Sequence, residues 1–167
     1  MHQNTEPHLT APDIASEWRE QHLRQLLDSY QRLLGRDLIA IDHNQPLAPQ
    51  LWVAPRVIVS HGCESDPILN YGNLQALQRW QMQWQQLVST PSRLTAEPLA
   101  REERAALLQQ VTEHGYIDDY SGVRIAANGQ RFLIRQAVVW NIVDANGVYC
   151  GQAASFDSWD DLSTDSA

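Results

Sequence analysis

The stretch YIDDYSGVRIAANGQRFLIRQAVVWNIVDANGVYCGQAASF, Tyr116 to Phe156, decides the fold. Three extended runs, residues 116–126, 131–144 and 148–156, are joined by Asn128-Gly129 and Asn146-Gly147, and Asn-Gly between such runs is the strongest short-range hairpin signal. Two hairpins make a three-stranded antiparallel meander. With a two-residue first loop, Ile125 faces Phe132 and Val123 faces Ile134, on one side with Val138, Trp140 and Ile142. That side is the expected core. The other face of the middle strand carries Leu133, Ala137, Val139 and Val143, which is too apolar to be left in water.

Upstream, Val57-Ile58-Val59 and Pro67–Asn73 read as two short strands separated by a turn at Ser65-Asp66-Pro67. Asn73 is the expected N-cap of a helix whose apolar positions are Leu74, Leu77, Trp80, Trp84 and Leu87, closed by Thr90-Pro91. A further helix is expected from about Pro98 to Glu113, stopped by Gly115. Residues 13–36 carry Trp18, Leu23, Leu26, Leu27, Tyr30, Leu33 and Leu34 at helical spacing, an amphipathic N-terminal helix suited to cover the second sheet face. The expected organisation is a lead-in over 1–12, this helix over 13–36, a Pro-rich connector over 37–55, the domain over 56–157 and an acidic tail over 158–167. The fold class is α+β: a five-stranded antiparallel sheet with helices on one face and the N-terminal helix besides.

Composition removes several mechanisms. All 12 basic residues are Arg, and with no Lys there is no Schiff-base amine, no Walker-type phosphate lysine and no Ser-Lys dyad. The net charge of -8 disfavours nucleic-acid binding, although Asp157, Asp160, Asp161 and Asp165 place half of it near the C-terminus. Two cysteines are too few for a disulfide framework. The start lacks a secretory pattern, and no apolar run approaches the roughly 18 residues of a membrane span. A cytoplasmic protein without membrane or nucleic-acid partners is expected.

The strings His61–Asn73, Pro91–Pro98, Gly115–Ile125, Val139-Trp140-Asn141 and Gly151-Gln152-Ala153-Ala154 resemble those of bacterial MEKHLA-domain proteins, over about residues 20–159. The resemblance implies a PAS-like fold, which the order strand, strand, helices, strand, strand, strand also suggests. It further implies a sensory or regulatory role in signalling, through ligand binding or dimerisation. The six-letter signature of the plant members is not present, and no homeodomain or zipper accompanies the domain, so plant regulation and DNA binding are not implied.

The candidate pocket is built on aromatic and small residues. A two-residue second loop sets Trp140 opposite Ala153, leaving small side chains beside the indole; Tyr71, Trp80 and Trp84 face it, with Gln136 as a polar handle. The alternative is that the indole fills the space as ordinary core. A three-residue loop instead turns Cys150 and Gln152 to the core. A flavin thiol would sit in an Asn-Cys-Arg context, which is missing, and no motif supports haem or flavin, so the cofactor is unknown. His61, Cys63, His114 and Cys150 lack the paired spacing of a zinc site. The competing reading is a small cytosolic enzyme using Cys63 and His61 in a pocket. The primary reading has no catalytic residue: a ligand-binding module, or a homodimer through the N-terminal helix, the outer sheet face or both.

Overall fold

The computed structural model describes residues 17–96 and 98–163. In chain order it contains α1 (Glu17–Leu34), α2 (Leu47–Trp52), β1 (Val57–His61), β2 (Leu69–Gly72), α3 (Leu74–Trp80), α4 (Trp84–Leu87), a 3-10 turn (Ser92–Thr95), α5 (Pro98–His114), β3 (Tyr116–Ile125), β4 (Arg131–Val143), β5 (Tyr149–Phe156) and β6 (Ser158–Asp161). The antiparallel sheet has the order β2-β1-β5-β4-β3, and β6 pairs with the first half of β4. The fold class is as the sequence predicts, with β6 added from the start of the stretch read as an acidic tail.

The register differs from the two-residue-loop expectation. Ala126 N–H donates to the Gln130 carbonyl, so the first loop has three residues with Gly129 at φ +90°, and Arg124, not Ile125, faces Phe132. The second loop, Ala145–Gly147, is also of this kind, but a bulge at Cys150 restores the pairing Trp140 with Ala153. Gly151 makes that bulge possible: its φ is +150°, and a Cβ there would run into the His61 carbonyl.

The largest correction lies in β4. Gln136 adopts φ +51° and adds one residue between the pairs Gly122–Ile134 and Tyr120–Ala137. Side-chain alternation therefore inverts at Gln136. Ile134 and Val139 face inward toward α3–α5, while Trp140 faces outward, where its indole N–H donates to the Leu26 carbonyl of α1. The expected single core face over Phe132, Ile134, Val138, Trp140 and Ile142 does not exist.

The outer face is closed by α1. Leu23, Leu26 and Tyr30 are buried, Tyr30 meets Trp140 edge-on at 4.8 Å, and the Val143 N–H donates to Ser29 Oγ. Each such apolar side chain contributes about 1.5–3 kcal/mol on burial. The stretch read as a connector contains α2, whose first N–H groups, Leu47 and Ala48, donate to the Glu20 carboxylate of α1.

Candidate functional site

Between the inner sheet face and α5 lies a cavity of about 70 Å³. Its apolar wall comes from Leu69 of β2, Trp80 of α3, Leu107 and Leu108 of α5, and Ile134 and Val139 of β4. Its polar lining comprises His61, Ser92, Thr95, Arg104, Tyr120, Arg124 and Gln152, with Ser60 at its border, the Ser60 hydroxyl being bonded on the far side to His22 and Asn70.

Each polar group is placed by a local feature of the chain. The three-residue loop turns Arg124 inward, where it is only 8% exposed. Gly122 leaves room for the Tyr120 ring, whose phenol oxygen a Cβ at 122 would strike; that oxygen accepts from Arg124 Nη2 at 2.9 Å. Arg104 Nη2 donates to Ser92 Oγ at 2.8 Å. Burial, and then the Arg124 charge, bring the Arg104 guanidinium down to about 10. Gln152 Nε2 donates to Asn141 Oδ1 at 2.9 Å and also reaches the Leu108 carbonyl and Thr112 Oγ1, while Asn141 Nδ2 donates to the Val111 carbonyl. These two amides, on neighbouring strands, fasten α5 over the cavity.

His61 is 6% exposed, and its Nδ1–H donates to the Gly62 carbonyl at 2.7 Å. Nε2 then presents a lone pair and has no hydrogen-bond partner. Gln152 lies close enough to favour the protonated ring weakly, yet is not placed to complete a bond to Nε2. Burial is the largest effect on this ring and lowers its pKa.

The six residues of the expected pocket are not brought together. Trp80 and Ala153 line the cavity. Tyr71 and Trp84 pack edge to face at 5.9 Å, on the far side of the sheet edge, with the Arg19 guanidinium 4.6 Å from the Trp84 ring centre. Trp140 lies under α1, and Gln136 is exposed at the bulge. The separation of Trp80 from Trp84 follows from Gln81, whose left-handed φ of +58° breaks the expected helix into α3 and α4. One continuous helix would have put both indoles on one stripe.

Cys63 is exposed and outside the cavity, and the Cys150 thiol approaches Gln25 of α1, so neither thiol joins His61 in a cleft. Among the described residues no three metal-ligating side chains converge, and no helix is long and apolar enough to cross a membrane. Arg104 and Arg124 are absent from the pocket expected from the sequence, yet both line the cavity. The signal for Arg124 was present: a Gly at the third position of a three-residue hairpin loop.

A family model described as the MEKHLA domain matches residues 20–161. No curated protein matches the chain. Among solved structures, a PAS domain from Colwellia psychrerythraea superposes with a TM-score of 0.59 at 14% identity, covering 70% of this chain and 98% of that one. A light-oxygen-voltage domain studied with a flavin analogue gives 0.56 at 14%, covering 71% and 86%. The light-state dimer of the fungal blue-light photoreceptor Vivid gives 0.54 at 12%, covering 80% and 89%. At these identities the likeness shows the fold. The flavin of such a neighbour does not fit here: cofactor-sized pockets run to roughly 300–1,000 Å³, against about 70 Å³, and no cysteine lines the cavity.

Proposed function

The chain belongs to the MEKHLA-domain family, and from that premise we propose that it is a PAS-like sensory domain that binds a small molecule in the cavity and reports occupancy through α1. The observation that carries this reading is the alternation of β1. His61 faces the cavity, while its neighbour Ser60 faces α1, donating to Asn70 Oδ1 at 2.6 Å and accepting from His22 Nε2 at 2.9 Å. A ligand that favours one placement of β1 thus biases the seat of α1, a population shift set by differential affinity for the two packings. Binding is favoured over catalysis because the thiol of the competing enzyme reading lies outside the cavity.

The test is native mass spectrometry of the freshly purified intact chain, combined with hydrogen exchange of α1. A small adduct is expected, and it should be lost in Ala154→Leu, which fills the cavity and should change α1 exchange. No adduct, together with α1 exchange identical in parent and variant, counts against the reading.

A homodimer is the second reading, and Trp18 favours it: this indole on α1 is 53% exposed although the buried stripe of the same helix is spent within the chain. Vivid, among the neighbours, is described as a dimer in its light state. A dimer here uses the outer side of α1 or exchanges α1 between copies. Sedimentation of the intact chain decides it, since a monomer at every concentration removes this reading.

A further inference from the structure

The cavity is short of negative charge. Arg56, Arg79, Arg93 and Arg135 each pair with an aspartate, whereas among the described residues no carboxylate pairs with Arg104 or Arg124. A guanidinium offers five N–H donors; the hydrogen bonds formed use one on Arg104 and two on Arg124. Two like charges turned into one small cavity, without a counter-charge, are costly to desolvate, and the depressed Arg104 pKa reflects that cost. An anion relieves it. Opposite in character is His61, whose buried Nε2 offers a lone pair with nothing to accept from. It suits a hydroxyl donor and repels a bare carboxylate oxygen. Of the rest of the wall, Leu69, Ile134 and Val139 are apolar, while Ser92, Thr95, Tyr120 and Gln152 hold hydrogen bonds within the chain.

Size narrows the class further. A cavity of about 150 Å³ holds benzene, so about 70 Å³ takes a molecule of roughly three to six non-hydrogen atoms. Resting on the reading of the cavity as a ligand site, we propose that it takes a short hydroxycarboxylate of glycolate or lactate size, its carboxylate held by Arg104 and Arg124 and its hydroxyl donating to Nε2 of His61. Arg–carboxylate recognition provides strength, the apolar wall limits chain length, and the imidazole separates hydroxy acids from plain ones.

The intact chain is titrated with glycolate, lactate, acetate and neutral glycolamide, reading both melting temperature and calorimetric affinity. Glycolate or lactate should raise the melting temperature saturably, with acetate roughly five- to tenfold weaker for want of one hydrogen bond. Arg124→Gln and Arg104→Met should each weaken glycolate more than about tenfold. Ligand-free Arg104→Met should melt no lower than the parent, which separates lost binding from lost folding. His61→Leu should erase the preference for glycolate over acetate. Carboxylate binding that survives in both arginine variants overturns the proposal. Saturable binding of glycolamide with none of the carboxylates also overturns it, while leaving the cavity reading intact; failure of all four ligands, with no native adduct, overturns both.

Discussion

Asn73 holds four backbone groups at once. Its Oδ1 accepts from Ile58 N–H and Ala76 N–H, both at 3.1 Å, and its Nδ2 donates to the carbonyls of Leu51 and Arg56. The expectation of an N-cap captures one of these bonds; the other three come from segments brought in by tertiary packing. Because the side chain is fully buried, Asn73→Ala strands partners that water does not reach. A loss of about 2–4 kcal/mol is expected in chemical denaturation, and a loss under about 1 kcal/mol, the value of a simple cap, would show that the hub is not cooperative.

At the scale of elements, β4 is one strand with two facings. Its first half pairs with β6 and its second with β5, so that Arg135 faces Ser158 and Val138 faces Ser155, leaving Gln136 at the break. The exposed left-handed residue there is strained, and Gln136→Gly should stabilise the fold by roughly 0.5–1 kcal/mol. Deleting Gln136 should instead turn Trp140 into the cavity and Val139 out under α1, abolishing the cooperative melt. A deletion variant that melts like the parent would show that the bulge does not set the facing.

For the whole molecule, the polar network that seats α1 sets an acid limit. His22 lies buried against Ser60 beside Arg19, and burial, then that charge, bring its pKa from 6.5 to about 4. In the native state the ring stays neutral while the unfolded chain takes up a proton near 6.5, so its contribution is fully present above that pH. It is lost as pH falls from about 6.5 to about 4, amounting to about 3 kcal/mol. His61, shifted in the same direction, adds to the slope. Denaturation midpoints measured from pH 7.5 to 4.5 should fall, and His22→Gln should fall less steeply; equal slopes would remove His22 from the acid response.

The molecule's two-sidedness also marks what was readable beforehand. Element order, the fold class, the N-terminal helix, the Asn73 cap and the strings shared with the MEKHLA family all lie in the local sequence, because periodicity, capping and turn chemistry act over a few residues. The cavity does not. Its Arg104 and Arg124 look like surface charges until one extra loop residue and the packing of α5 turn them inward. The aromatic pocket expected at Trp140 dissolves because a single left-handed residue, Gln136, inverts the strand. Sequence alone thus determined which elements form and in what order. Only the tertiary structure decided which face each side chain meets, because side-chain facing has a period of two and one inserted residue, whose cost is set by distant partners, reverses it.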